Sequence, residues 1–263
     1  MNTQNNHPQL VIGMPVYNGG RYISETIESI LNQTFSDFIL LISDNASTDQ
    51  TQHICQEFAR KDKRISYRRQ DKNLGMAGNF NYVLQPGNAP FFKWAAHDDL
   101  IRPNYLEKCI ELLKKEPELA IVHSRTERIS DNSDSLGFYD DLGLRGLRIS
   151  ERFWRTLWTD NIYEIYGVMR AKYVSHARPV GLFFGSERNL LAEVLLQGNM
   201  GYIDEPLFAR RDHDSSLTAM HLNAKQQKDF KSMQSAHSTE SKLYPYTGLD
   251  NGYNSLGRFG GGQ

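Results

Sequence analysis

Two adjacent carboxylates, Asp98 and Asp99, close the segment Ala95-Ala96-His97-Asp98-Asp99, which follows the apolar run Phe91-Phe92-Lys93-Trp94. Like charges this close repel, and a cation or a hydrogen-bonded ligand is the usual remedy. The carboxyl edge of an α/β sheet is also where ligands bind. The pair therefore reads as a site for a divalent metal and a ligand. The competing reading is a solvated turn or a helix cap ahead of Pro103.

The elements that must position this pair follow from the apolar pattern. Leu10-Val11-Ile12-Gly13-Met14, closed by Pro15, reads as a buried first strand, and Phe38-Ile39-Leu40-Leu41-Ile42 as a second. Ile65 to Tyr67, Phe91 to Ala95 and Leu119 to Ser124 supply three more. Between them, Ile23, Ile27, Ile30 and Leu31 recur at helical spacing, and Ile54, Phe58 and Ala59 continue a second helix behind a capping-box pattern, Ser47-Thr48-Asp49-Gln50. Pro103 is placed as the first residue of a helix carrying Leu106, Ile110 and Leu113. Strands alternating with helices predict an α/β fold, a largely parallel sheet with helices on both faces. Further on, Ser130 to Arg148 reads as a mobile loop, Gly185 opens a helix with Leu190, Leu191, Val194 and Leu195, and two short strands follow at 201–203 and 207–209.

The bulk properties narrow the class. The chain has 263 residues, with 30 Lys and Arg against 31 Asp and Glu. That balance supplies no field to attract nucleic acid, and the basic stretch Arg60 to Arg69 reads as a solvated helix end and strand face, or as a surface steering an anionic ligand or a membrane. Cys55 and Cys109 lie in apolar helical patterns, which suits buried, reduced thiols. Residues 1–9 lack an apolar signal core, and no run approaches the ~20 apolar residues of a spanning helix. The expectation is a cytoplasmic protein, peripheral to a membrane at most.

Several motifs now stand in order: Pro15-Val16-Tyr17-Asn18, Glu25, Ser29-Ile30-Leu31-Asn32-Gln33-Thr34, Asp44-Asn45-Ala46-Ser47-Thr48-Asp49, Asn73-Leu74-Gly75 and Asp98-Asp99. Each alone is weak; together, in this order and spacing, they resemble the inverting glycosyltransferases of family two, which have the GT-A fold. The likeness continues loosely through Gly185 to His213.

The resemblance implies a mixed, largely parallel sheet with a Rossmann-like nucleotide-binding half at 1–128, an acceptor-binding and catalytic half of the same domain at 129–224, and a partly disordered tail at 225–263. It implies a nucleoside diphosphate sugar as donor, with Pro15, Tyr17, Asn18, Asp44, Asn45, Asn73 and Gly75 at the nucleotide and sugar. Asn45 stands where the family more often has an acid. Asp99 would ligate Mn2+ or Mg2+, and Asp98 would touch ribose or join the metal shell. Ala96 replaces the first acid of the family's Asp-any-Asp motif. His97 could also ligate, although strand alternation points it away. Asp49 caps a helix or touches ligand. Glu187 takes the place of the catalytic base, where Asp is commoner. Arg211 could pair with the diphosphate, and His213 could ligate the metal or touch phosphate.

The expected reaction moves one sugar to an acceptor hydroxyl with inversion, in cell-envelope polysaccharide or glycolipid synthesis, on a carbohydrate or lipid-linked acceptor. Trp154, Trp158, Tyr163 and Tyr166 could stack on sugar faces, although aromatics at helical spacing more often pack in a core. The rival class is a catalytically silent nucleotide-sugar binder or assembly subunit. A nucleotidyltransferase fits poorly, because Tyr17-Asn18-Gly19-Gly20-Arg21 lacks the Gly-rich Arg-Lys loop that such an enzyme would place after its first strand.

Overall fold

The computed structural model describes residues 7–159, 162–183 and 185–213. In chain order the elements are β1 Leu10–Val16, α1 Ile23–Leu31, β2 Phe38–Asp44, α2 Thr51–Lys61, β3 Ile65–Arg69, α3 Gly75–Tyr82, β4 Phe91–Trp94, β5 Leu100–Ile101, α4 Tyr105–Lys115, β6 Leu119–Ile129, β7 Ser135–Phe138, α5 Ile149–Trp158, a 3-10 turn at Tyr163–Tyr166, β8 Val168–Arg170, α6 Ala171–Val174, α7 Ser186–Gln197 and β9 Asn199–Arg211. They build one mixed sheet in the order β3-β2-β1-β4-β8-β6-β9-β5, with β7 paired to β6. The four strands from β3 to β4 run parallel, as do β6 and β9. β8 is antiparallel to both β4 and β6, so it bridges the two halves while leaving them codirectional.

Side-chain alternation along the strands fills two cores, one on each face. Leu10, Ile12 and Met14 of β1 join Ile23, Ile27 and Ile30 of α1 and Leu106 and Leu113 of α4. Val11, Phe92 and Trp94 face the other way, with Val83, Leu190 and Val194. Both cysteines are free and buried. No helix among the described residues is long and apolar enough to cross a membrane.

Several local expectations change. The segment read as a mobile loop contains β7, which closes a hairpin on β6. The two short strands near the end are one strand, β9, whose pairing with β6 shifts register between Ile203 and Phe208, around Pro206. Pro103 precedes α4, which begins at Tyr105; the Pro103 carbonyl instead accepts the Thr34 N–H at 2.7 Å. The capping box at Ser47 does not form. Asp49 holds the start of α2 through the Thr51 N–H at 3.0 Å. The proposed tail at 225–263 lies outside the described residues.

Candidate active site

Parallel pairing brings the carboxyl ends of β1, β2 and β4 to one edge, with Val16 opposite Asp44 and Gly13 opposite Trp94. The parallel pair β6 and β9 ends there too, with Ile129 opposite Arg211. Every loop that the sequence singles out therefore opens on the same side.

The loops after β1 and β2 are bonded together. Asn18 Oδ1 accepts the Thr48 N–H at 2.8 Å, Ser47 Oγ accepts the Asn18 N–H at 2.9 Å, and Asp49 Oδ2 accepts the Gly20 N–H at 2.9 Å. Burial works against the Asp49 charge, but the bonds from Thr51 and Gly20 outweigh it and hold the carboxyl below its usual range. Asp49 thus serves as cap and loop tie. Tyr17 projects from this loop, 47% exposed.

Asp44 is fully buried. Its Oδ1 accepts the Ser47 N–H at 2.8 Å and its Oδ2 the Tyr67 hydroxyl at 2.8 Å. Each oxygen thus already holds one donor, and each keeps a second lone pair with which it can accept another. Asn45 clamps the loop ahead of α3. Its Nδ2 donates to Asn73 Oδ1 at 2.8 Å and its Oδ1 accepts the Leu74 N–H at 2.7 Å, while Asn73 Oδ1 also takes the Gly75 N–H at 2.8 Å. An amide can donate and accept at once, which an acid at position 45 could not do.

Asp98 and Asp99 leave β4 as expected. Their neighbours come from the far end of the described chain. His213 Nε2 donates to Asp98 Oδ2 at 2.9 Å, and the Arg211 N–H donates to Asp99 Oδ1 at 3.0 Å. Burial opposes the Asp98 charge, but His97 and His213 outweigh it and keep the carboxyl low. Burial first, and Asp98 second, push Asp99 up. His97 turns to the β1 loop: a Cβ at Gly19 would come within 2.6 Å of its Cδ2, so only glycine permits this approach.

Arg211 has a different environment from a free phosphate ligand. It is 1% exposed. Its Nε donates to the Asp98 carbonyl, its Nη1 to the Ser130 and Asp131 carbonyls, each at 3.0 Å, and its Nη2 to Glu25 Oε2 at 2.6 Å. The guanidinium staples α1, the acid pair and the β6–β7 turn to the end of β9.

Glu187 lies half-buried in the first turn of α7, behind Gly185, whose φ of 82° is the left-handed conformation that favours glycine. Tyr166 connects it to the acid pair. Burial raises the Tyr166 hydroxyl pKa well above its ordinary value, and the charges of Asp99, Asp98 and Glu187 add to that. One hydroxyl thus feels all three carboxylates. In the sequence Tyr166 stands only among the candidate stacking rings, and Lys93 only as part of an apolar run. Lys93 is buried in β4, donates to the carbonyls of Trp94 and Tyr166, and is pushed down to about 7 by burial. Its signal was a lone basic residue inside an apolar strand.

Among the described residues no three His, Cys, Asp or Glu side chains are grouped to hold a metal ion. Asp98 and His213, bonded to each other, and the buried Asp99 offer oxygen and imidazole donors. That donor set fits a divalent ion that completes its shell with ligand phosphates rather than with protein alone.

A Rossmann-like parallel half, an antiparallel bridge and a paired-acid loop at the sheet edge define the GT-A fold of glycosyltransferases. Residues 11–175 match glycosyl transferase family 2, and the chain belongs to that family. It is 34% identical over 137 residues to an uncharacterized glycosyltransferase of Rickettsia typhi, covering 51% of this chain and 42% of that protein. It is 32% identical over 122 residues to a chondroitin synthase of Escherichia coli, covering 46% and 18%. The chain thus spans less than half the length of these curated relatives. Among solved structures it is similar in fold to S. aureus TarS 1-349 in complex with UDP-GlcNAc, with a TM-score of 0.66 at 14% identity over 89% of this chain and 68% of that one. It is similar also to the mannosyltransferase PcManGT from Pyrobaculum calidifontis in complex with GDP-Man and Mn2+, with a TM-score of 0.58 at 13% identity over 89% and 65%.

Proposed function

We propose that this chain transfers a sugar from a nucleoside diphosphate sugar to an acceptor hydroxyl, with inversion and with the help of a divalent metal. The observation that carries the reading is the Asp98–Asp99 pair at the ligand edge of the sheet, backed by His213 and within electrostatic reach of Glu187 through Tyr166. The nucleotide sugars bound by TarS and PcManGT, and the Mn2+ of the latter, support a donor of this class.

The chemistry divides among the residues in hand. Pro15 and Tyr17 wall the nucleoside slot, and Asp44 and Asn45 shape its floor, directly or through the loops they hold. The Asn73-Leu74-Gly75 turn and Asn18 border it. Asp98, Asp99 and His213 would hold Mn2+ or Mg2+, which supplies Lewis-acid neutralisation of the diphosphate. Arg211 fixes the acid pair in place. Glu187 accepts the proton of the acceptor hydroxyl as that oxygen attacks the anomeric carbon from the face opposite the diphosphate. The new C–O bond forms as the bond to the diphosphate oxygen breaks, and the anomeric centre inverts.

The second half of the domain shapes the acceptor site. The acceptor is a carbohydrate or a lipid-linked glycan, with a place in cell-envelope polysaccharide or glycolipid synthesis. The protein acts in the cytoplasm, with contact to a membrane surface limited to the periphery. Incubating the chain with UDP- and GDP-sugars, with and without Mn2+, tests the reading. Metal-dependent release of nucleoside diphosphate is expected. Nucleotide binding without any release would favour the catalytically silent alternative.

A further inference from the structure

The second half of the domain holds a cavity of about 450 Å³, lined by Tyr139, Asp140, Asp141, Trp158, Tyr163 and Glu164 among others. A second, of about 420 Å³, shares Tyr139, Asp140 and Asp141 with it and continues past Phe138, Tyr202 and Asp204. Both fall in the size range of small-molecule sites. Together they form a groove with segment 139–141 as its common ridge.

Its chemistry is specific. Tyr139 and Tyr163 pack with ring centroids 4.2 Å apart, and Trp158, 80% exposed, stands at the rim. Arg210 covers the Tyr163 ring, so the open flat face is that of Trp158, and with hydrogen-bonding groups beside it such a face suits the C–H side of a sugar. The polar groups left open are carboxyls. Asp140 and Asp141 are exposed and make no hydrogen bond or ion pair with the described residues. Glu164 is 6% exposed, and its Oε2 has no hydrogen-bond partner. A buried carboxyl oxygen without a partner is costly unless a ligand or water completes it. Burial raises Glu164 to about 8, with Asp141 adding to the effect, so at neutral pH it carries a proton to donate.

The arginines nearby are engaged. Arg125 pairs with Asp204 at 2.6 Å, Arg145 lies over the Tyr202 ring, and Arg155 donates to the Gly143 carbonyl at 3.3 Å. The groove therefore offers little to an anionic ligand. One side chain links it to the acid pair: Arg210 Nη1 donates to the Tyr139 hydroxyl at 2.6 Å, and the Arg210 charge also acts on Asp99.

We infer that this groove seats the acceptor glycan across more than one sugar unit, and that the seated units are neutral or amine-bearing rather than acidic. The inference rests on the glycosyl-transfer reading above. The test applies the full chain to an array of short neutral, amino-sugar, uronic acid and sulfated oligosaccharides. UDP and GDP binding with Mn2+ is measured by calorimetry on the same preparations. Capture of neutral or amino-sugar glycans is expected. Trp158→Ala and Asp141→Ala, both at exposed positions, should each weaken it by about tenfold with nucleotide binding retained. Glu164→Gln, which keeps a donor and an acceptor, should retain capture, whereas Glu164→Leu should weaken it without loss of nucleotide binding. A preference for acidic glycans, no capture at all, or capture unchanged in Trp158→Ala and Asp141→Ala overturns the groove assignment. A parent chain that binds neither nucleotide counts instead against the transfer reading.

Discussion

The Tyr67 hydroxyl donates to Asp44 Oδ2 at 2.8 Å, so the carboxylate at the end of β2 is occupied before any ligand arrives. This pair separates two roles that the sequence leaves merged. Asp44→Ala should remove a support for Tyr67 and Ser47, lowering stability by about 1–3 kcal/mol in urea unfolding. It should also weaken nucleotide binding. Tyr67→Phe frees the carboxylate, so it should bind UDP or GDP at least as tightly as the parent in calorimetry. Weaker binding by Tyr67→Phe would leave Asp44 as a strut only.

Asp99→Ala should abolish the Mn2+-dependent part of nucleotide affinity while preserving the fold by circular dichroism. The Arg211 N–H that Asp99 accepts lies at a strand end, so its loss is local. Equal affinity for UDP or GDP with Mn2+ in variant and parent would remove the metal role.

Glu187→Gln should keep nucleotide affinity and lower single-turnover transfer by roughly 10²–10⁴-fold, the usual worth of a general base. Glutamine preserves the size and one acceptor oxygen but cannot take a proton. If Glu187 only complements the α7 dipole, the variant should lose a little thermal stability and turn over near normally. A melting curve beside the rate measurement separates these outcomes.

Much of this site was legible because its residues follow apolar runs. Asp44 ends a buried strand and Asp98–Asp99 lie in the loop that follows one, and parallel pairing sets both on one edge. Arg211 was placed near the diphosphate but not recognised as a staple, since its partners at 25, 98 and 130–133 share no local pattern with it. β8 was hidden because three residues carry too little alternation to separate a strand from the aromatic turn before it. Glu164 sits within that turn, where an acid between Tyr163 and Ile165 reads as polar punctuation rather than as a buried group.

Lys93 makes stability depend on pH. Burial lowers its pKa from 10.5 to about 7. Above about pH 7 the folded chain has released this proton while the unfolded chain still holds it, so the Lys93 contribution to stability rises with pH. Urea unfolding between about pH 7 and 9 should show that rise in the parent and lose it in Lys93→Met. Parallel curves for the two chains would mean that Lys93 keeps its ordinary pKa when folded.

The bond from Arg211 to Glu25 spans 186 positions of sequence. Contacts of such separation carry a large loop-closure cost and form late, after local strands and helices have condensed. During synthesis β1 to β4 can pair as soon as they emerge, whereas the Asp98–Asp99 loop has no anchor until β9 docks beside β6. The edge that carries the acid pair is therefore the last part of the sheet to mature. A nascent chain shorter than residue 211 would carry the β1–β4 edge with an unfixed acid pair, a scaffold in place before the loop it is there to hold.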